Sequence, residues 1–228
     1  MRDPITTSLR AKLGTAAVLI ALAAVLWQPS WAQKADDPFT YDGLKQVKSK
    51  AVDRLYTLPG ATLEAYDSVL LDPVGVAFHK SFERDFPRVS AKDMDDIRAR
   101  LASEFTKVFK EVLEENGGYP MVQAPGPSVL RVTAAIVNLY VQAPDQHQTG
   151  RSHTYSDTAG DMTLVAELRD SETNAVLARV ADRQSGDTFD VVRWQNSATN
   201  TAEARKILKG WAETLRKGLD AARATPPQ

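Results

Sequence analysis

Residues 129–141, with the sequence VLRVTAAIVNLYV, are the stretch that decides the fold. In an extended chain, alternate side chains point to opposite sides, and here both sides are apolar. One side carries Leu130, Val132, Ala134 and Ile136, and the other carries Val129, Val137 and Leu139. A strand that is apolar on both faces is typical of the interior of a sheet. We therefore predict a central strand over these residues.

Residues 90–116, which precede this strand, have the pattern of a long amphipathic helix. Ser90 and Asp93 have the spacing of a capping box, although Asp is shorter than the usual Glu. Asn116 and the two glycines after it are typical of a helix C-terminus. Between these ends, apolar residues recur every three or four positions and form one stripe: Met94, Ile97, Leu101, Phe105, Val108 and Val112. Such a stripe must be buried against another element.

A hairpin and a second helix are predicted after the central strand. Residues 162–169 and 175–181 read as two strands, and the five residues between them, DSETN, are good turn formers. Residues 198–223 then repeat the helical spacing of apolar side chains: Ala204, Leu208, Trp211, Leu215, Leu219 and Ala222. This second stripe also needs a surface to cover it.

Three short strands are predicted before the first helix. Residues 54–57 and 66–71 each form a short run that suits a strand. Asp72 and Pro73 interrupt the second run, because proline donates no backbone hydrogen bond. We expect residues 74–78 to continue that strand beyond a bend.

The order strand, helix, strand, hairpin, helix predicts an α/β (α+β) fold. Two amphipathic helices packed on one face of a single-domain mixed β-sheet would bury both stripes. Residues 51–224 are expected to form this domain. A polar lead-in segment, residues 33–50, precedes it, and residues 225–228 form a frayed tail.

The N-terminal residues 1–32 have the three parts of a secretory signal peptide. Arg2, Arg10 and Lys12 are basic, residues 13–27 are uncharged and apolar, and Ala32 ends a small-residue cleavage motif. The apolar run is shorter than the roughly 20 residues that span a bilayer. We expect cleavage after Ala32, a periplasmic mature protein and no stable membrane insertion after cleavage. Retention of the segment as an anchor is the alternative.

Four stretches resemble a bacterial family catalogued as domain of unknown function 3313. They are YDSVLLDPVGVAF (66–78), APGPSVLRVTAAI (124–136), MTLVAELRDSETNAVLARVADR (162–183) and WAETLRKGLD (211–220). The resemblance implies an exported envelope protein, since most members of the family carry a lipid, and it carries over no catalytic residue. The present chain has no cysteine to acylate. This departure favours a periplasmic protein without a lipid tether.

The composition argues against several functional classes. The absence of cysteine excludes disulfides, thiol redox chemistry and thiolate metal sites. A formal net charge of −1 gives no basic excess to attract a phosphate backbone, so no nucleic-acid partner is expected. Neither a phosphate-binding glycine loop nor a serine-nucleophile elbow is present. We therefore expect no cofactor and no catalytic residue of a known motif.

Two histidines in the polar segment 145–161 raise the question of a metal site. His147 and His153 lie near Asp145, Asp157 and Asp161, and imidazoles with carboxylates can bind zinc. Their separation matches no helical ligand spacing, and polar loops commonly carry such residues. We therefore predict no metal site. His79, the remaining histidine, is expected at a strand end on the surface.

Four residues remain as candidates for a binding site. Asp72, Asp182 and Arg183 are the polar residues most closely surrounded by apolar strand residues, and an Asp–Arg pair at strand ends could line a cleft. Such residues can equally satisfy backbone groups at strand ends or form a partly buried ion pair. Trp194 could cover the core or remain exposed to contact a partner.

Three functions are consistent with this sequence. A non-enzymatic periplasmic protein that binds a partner or assists envelope assembly is favoured, with another envelope protein as its partner, because no catalytic group of residues is recognisable. A hydrolase that uses Asp72 or the histidine-containing segment is the second. The third is a carrier of small molecules or lipids. The apolar stripes are just wide enough for packing, which slightly disfavours a carrier.

Overall fold

The computed structural model describes residues 42–141, 155–156, 160–185, 193–194 and 197–224. Ten strands and three helices are present among them. The strands are β1 (Lys45–Val47), β2 (Arg54–Thr57), β3 (Ser68–Leu71), β4 (Gly75–Phe78), β5 (Met121–Val122), β6 (Val129–Val141), β7 (Tyr155–Ser156), β8 (Gly160–Asp170), β9 (Val176–Ser185) and β10 (Arg193–Trp194). The helices are α1 (Phe82–Asp85), α2 (Ala91–Glu114) and α3 (Ser197–Ala224), and a 3₁₀ turn, Glu115–Gly117, follows α2.

Eight strands form one mixed sheet in the order β1-β2-β9-β8-β6-β3-β5, with β4 also paired to β6. The predicted central strand is confirmed, because β6 pairs with antiparallel β8 on one side and with parallel β3 and β4 on the other. The predicted hairpin is confirmed as the antiparallel pair β8 and β9. Strands β7 and β10 form a separate two-stranded sheet.

The strand bend predicted at Asp72 and Pro73 is present between β3 and β4. Leu71 lies opposite Val132 and Gly75 lies opposite Ala135, so residues 72–74 face only residues 133–134 of the central strand. One extra residue therefore bulges from the sheet at the proline, as expected where the ladder loses a donor.

The predicted capping box of α2 is confirmed. The Asp93 backbone N–H donates to Ser90 Oγ at 3.1 Å, and the Ser90 backbone N–H donates to Asp93 Oδ2 at 3.0 Å. At the other end, Asn116 has a φ of 52°, a conformation that asparagine tolerates better than most residues. Helix α2 therefore ends where the sequence indicates.

The two long helices and the sheet share one hydrophobic core. Phe105 and Leu113 of α2, and Leu208 and Leu219 of α3, are fully buried in it together with Leu130 of β6. Alternate residues of β8 face the same core, namely Met162, Leu164, Ala166 and Leu168. The predicted fold class, a single-domain mixed sheet with two long helices, is correct.

One face assignment on the central strand is wrong. Leu139 was expected on the side of Val129 and Val137, but it lies 6% exposed in the helix-facing core. The β6–β8 register shifts between Val137 and Tyr140, and Asn138 has a φ of 54°. This bulge reverses the alternation, so Leu139 returns to the face that packs on the helices.

Candidate functional site

Asp72 pairs with the central strand. Arg131 Nε lies 3.1 Å from Asp72 Oδ1 and 2.9 Å from Oδ2, and the Thr133 hydroxyl donates to Oδ2 at 2.6 Å. Burial raises the pKa of Asp72, but the hydrogen bonds from Arg131 and Thr133 and the Arg131 charge together hold it below its ordinary value. The carboxylate therefore fastens the β3–β4 bend to β6.

Asp182 is buried beneath α3, with 3% of its surface exposed. Its Oδ1 accepts the backbone N–H of Asp53 at 3.0 Å. Its Oδ2 accepts Gln184 Nε2 at 2.8 Å and Trp211 Nε1 at 2.7 Å. This carboxylate thus links three elements of the fold: the start of β2, β9 and α3.

Arg183 lies next to Asp182 in β9 but is exposed on the other side of the strand. Its guanidinium lies 3.3 Å from Asp161 Oδ2, and its backbone N–H donates to Asp53 Oδ2 at 3.0 Å. Asp182 and Arg183 therefore share the partner Asp53 but face opposite sides of β9. Asp72 pairs separately with Arg131 and Thr133, so the three candidates do not form one site.

Of the remaining candidates, the structure describes His79 fully and Trp194 in part. In β10, Trp194 pairs with Tyr155 of β7, and its side chain lies outside the described residues. His147 and His153 also lie outside them. His79 is half-buried after β4, with Nδ1 2.9 Å from Ser81 Oγ. In the described ranges, no group of three or more histidine or acidic residues is arranged to hold a metal ion.

A charged cluster covers part of the sheet around Arg179, which is 4% exposed. Arg179 Nε donates to Glu167 Oε1 at 2.5 Å, and Arg179 also pairs with Asp42. Burial raises the pKa of Glu167, but hydrogen bonds from Arg179 and Arg169 lower it below its ordinary value overall. The cluster ties the chain before β1 to the sheet, which is a structural role.

The main concave feature described is an apolar cavity of about 670 Å³ between the sheet and the long helices. Small side chains form its floor. Ala134 of β6 lies directly opposite Ala166 of β8, and Ala178 of β9 lies opposite Leu168. Two facing alanines leave space that larger residues would fill. The expectation that the stripes are just wide enough for packing is therefore wrong.

Aromatic and aliphatic side chains of the helices form the roof of the cavity. Phe105 and Phe109 of α2 stack with their ring centroids 4.0 Å apart, and Trp211 and Leu215 of α3 also line the cavity. Gly218 of α3 also lines the cavity, and a Cβ added there would meet no atom within 4 Å. A glycine inside a helix costs about 1 kcal/mol relative to alanine, and Gly218 lies at the exposed edge of the cavity lining.

The polar groups that line this cavity are few. The polar lining residues on the β2 side are Ser49 and Thr57, beside the apolar Leu55. Those on α3 are Thr214 and Lys217. Lys217 is the single charged residue in the described lining. A cavity with this lining suits a ligand that is apolar over most of its length.

The cavity is too large to be a sealed, empty void in the protein core. Sealed and empty, a void of this volume would cost about 16 kcal/mol, at about 24 cal/mol per Å³. That exceeds the whole stability of a typical domain, about 5–15 kcal/mol. The space is therefore open to solvent rather than a sealed, empty void. Small-molecule sites have volumes of about 300–1,000 Å³, which includes this one.

A smaller, polar pocket of about 250 Å³ adjoins the cavity. Ala51, Trp211 and Thr214 line both. Its other walls are polar or charged residues of β9 and α3, with Ile207 and Gly210 between them: Asp182, Gln184, Ser185, Glu203 and Lys206. The candidate residue Asp182 therefore contributes to a pocket, whereas the candidate Arg183 does not line it.

The signal for this cavity in the sequence is a set of small residues in the strands and the last helix, rather than the apolar stripes of the helices. Ala134, Ala166 and Ala178 occupy core-facing positions in three adjacent strands, where larger side chains are usual. Gly218 lies inside the last helix. Only the strand register shows that these small residues meet.

Several bacterial proteins of known structure match the chain, all with TM-scores below 0.5. The PelC dodecamer protein from Paraburkholderia phytofirmans matches with 11% identity, 73% of this chain and 94% of that chain covered, and a TM-score of 0.34. A DUF330 protein from Xanthomonas campestris matches with 13% identity, 72% and 90% covered, and a TM-score of 0.37. A minor lipoprotein from Acinetobacter baumannii matches with 10% identity, 69% and 95% covered, and a TM-score of 0.33.

Comparison with curated protein sequences gives no significant match. Among the described residues, no helix is both long and apolar enough to cross a membrane. The family model for the protein of unknown function DUF3313 matches residues 33–215, which is most of the chain. The chain belongs to this family.

Proposed function

We propose that this member of the DUF3313 family is a non-enzymatic binding protein that holds an elongated apolar ligand, such as an acyl chain, between its sheet and its two long helices. The observation that carries this proposal is the cavity of about 670 Å³, whose floor is alanine and leucine and whose roof is aromatic. It favours the carrier among the three functions consistent with the sequence.

The energetics of such binding come from the removal of apolar surface from water. Each buried methylene contributes about 0.8 kcal/mol, so an acyl chain gains affinity along its whole length without specific hydrogen bonds. The cavity offers few polar partners, and three of its four described polar side chains are hydroxyl groups: Ser49, Thr57 and Thr214. A ligand rich in polar groups would lose hydrogen bonds with water that this lining cannot replace.

The existing hydrogen bonds of the Asp72 and Asp182 carboxylates favour binding over catalysis. Asp182 already accepts three hydrogen bonds from protein groups, and Asp72 pairs with Arg131 away from the cavity lining. The pKa of Asp72 is lowered by Arg131 and Thr133, whereas a general acid near neutral pH needs a raised one. The hydrolase alternative therefore has less support than a carrier.

We also propose that the protein works in the cell envelope after export. The basic start, the short apolar run and Ala32 in residues 1–32 support this location. A ligand with an acyl chain would be abundant there. An envelope protein that delivers or receives this ligand is the partner that this role implies.

A fluorescence titration with N-phenyl-1-naphthylamine, an uncharged apolar probe, tests the proposed function. The purified protein should bind the probe, and Gly218→Leu should abolish binding by filling the cavity wall. Gly210→Leu is the matched control, because Gly210 lies in the same helix and also has open space at its Cβ. It lines only the polar pocket, so this variant should bind the probe as the wild type does. Absence of probe binding to the wild type would overturn the proposal.

A further inference from the structure

The two adjoining pockets differ in chemistry, and this difference specifies the ligand further. We infer, on the basis of the proposed function, that the ligand is a single-chain amphiphile whose uncharged, hydroxyl-bearing head group lies in the polar pocket between β9 and α3. Its acyl chain then occupies the apolar cavity.

The pockets are consecutive along one groove. Ala51, Trp211 and Thr214 form the boundary that both share. Along α3, the lining runs from Glu203 in the polar pocket to Gly218 in the apolar cavity, a distance of about 22 Å at the rise of an α-helix. A ligand that spans the boundary would have one polar end and one apolar end.

The charges of the polar pocket argue against an anionic head group. Two carboxylates, Asp182 and Glu203, line it beside a single ammonium group, that of Lys206. Lys206 offsets part of their charge, so a head group need not be cationic either. An added carboxylate or phosphate would lie near two like charges in a partly buried site, where repulsion is poorly screened.

Hydrogen-bonding capacity further favours a head group that donates. An ionised carboxylate can accept about four hydrogen bonds, and Asp182 accepts three from Asp53, Gln184 and Trp211. Asp182 and Glu203 both line the polar pocket, so the hydroxyl groups of a glycerol or sugar there can donate to them, which a bare hydrocarbon end cannot.

Competition against the bound fluorescent probe tests this inference. Monododecanoylglycerol and dodecanoate share a chain length but differ in head group, and both are used below their micelle-forming concentrations. The wild type should bind the monoacylglycerol about tenfold more tightly, the effect of one net hydrogen bond. Equal binding, or tighter binding of dodecanoate that Lys217→Ala removes, would overturn the inference and place the head group at the other end of the groove.

The glycine variants distinguish this inference from the proposed function. Gly210→Leu should bind the monoacylglycerol and dodecanoate with about equal affinity, while it still binds the probe. Gly210→Ala controls for the stabilisation of the helix and should retain the preference. If Gly210→Leu also keeps the full preference, the head group does not lie in the polar pocket. Failure of the wild type to bind the probe would instead contradict the proposed function.

Discussion

The Trp211 indole N–H donates a hydrogen bond of 2.7 Å to the buried Asp182 carboxylate. This contact joins the middle of α3 to β9 at the boundary between the apolar cavity and the polar pocket. Because the carboxylate is 3% exposed, its hydrogen bonds come from protein donors rather than from water.

Trp211→Phe removes this donor and keeps an aromatic ring. We expect a loss of about 1.5–3 kcal/mol in the free energy of unfolding, the range for a hydrogen bond to a charged group. Urea titration measures it. Lys209→Ala, an exposed position of the same helix, is the control and should cost little. Equal stability of Trp211→Phe and wild type would mean that the hydrogen bond contributes nothing.

Asp72→Asn should change how stability depends on pH. The pKa of Asp72 is lowered in the folded protein, so its ionised form stabilises the fold above its unfolded pKa. This contribution is lost as the pH falls below about 4. The wild type should therefore be more stable than Asp72→Asn at pH 7, and the difference should be smaller at pH 3. Urea titrations at both values check this, and a constant difference would contradict it.

Two leucines of α3 should respond differently to truncation. Leu208 is fully buried, so Leu208→Ala should cost about 2–5 kcal/mol through lost contacts and a new void. Leu215 is half-buried and lines a space that is already open, so Leu215→Ala should cost less. Denaturant unfolding of both variants compares them. A larger loss for Leu215→Ala would indicate that the cavity is filled by packing in solution.

Alanine at the helix glycines should stabilise the protein. Gly210→Ala and Gly218→Ala each meet open space at the new Cβ and should add about 1 kcal/mol, the difference in helix propensity. Thermal unfolding should show a higher Tm for both. Gly118→Ala is the contrasting variant, because its Cβ would lie 2.3 Å from the Leu113 carbonyl oxygen, and it should lower the Tm. A lower Tm for the helix variants would show that the backbone there cannot accept a side chain.

The N-terminal segment should be removed in the cell. The expected mature protein begins at Gln33 and is recovered in the periplasmic fraction, because the apolar run is short and Ala32 suits cleavage. Intact-mass measurement of protein from its native host checks this. A full-length mass in the membrane fraction would identify the segment as an anchor.

The long elements of the fold could be predicted because periodicity determines them. Helix α2, its capping box and strand β6 agree with the sequence patterns over many residues. Strands β1 and β5 and helix α1 have three, two and four residues, too few for any period to be visible. Strand β1 lies inside the predicted polar lead-in segment, and its pairing with β2 is a tertiary property.

The site was only partly predictable for a related reason. Asp182 was identified from its apolar neighbours in sequence, but its contact with Trp211 depends on how α3 crosses β9. The cavity was missed because helical stripes describe which side chains face inward and not whether they fill the space between layers. That depends on the register that sets Ala134 against Ala166.

The sheet order also determines when the cavity can form. Residue 54 of β2 pairs with residue 181 of β9, so an early strand lacks its sheet partner until most of the chain is present. Such distant pairing slows folding, because a long loop must close before any contact compensates for its entropy. The cavity needs β2, β9 and α3 together. During synthesis, the cavity is therefore completed last, and no partial chain that ends before α3 can form it.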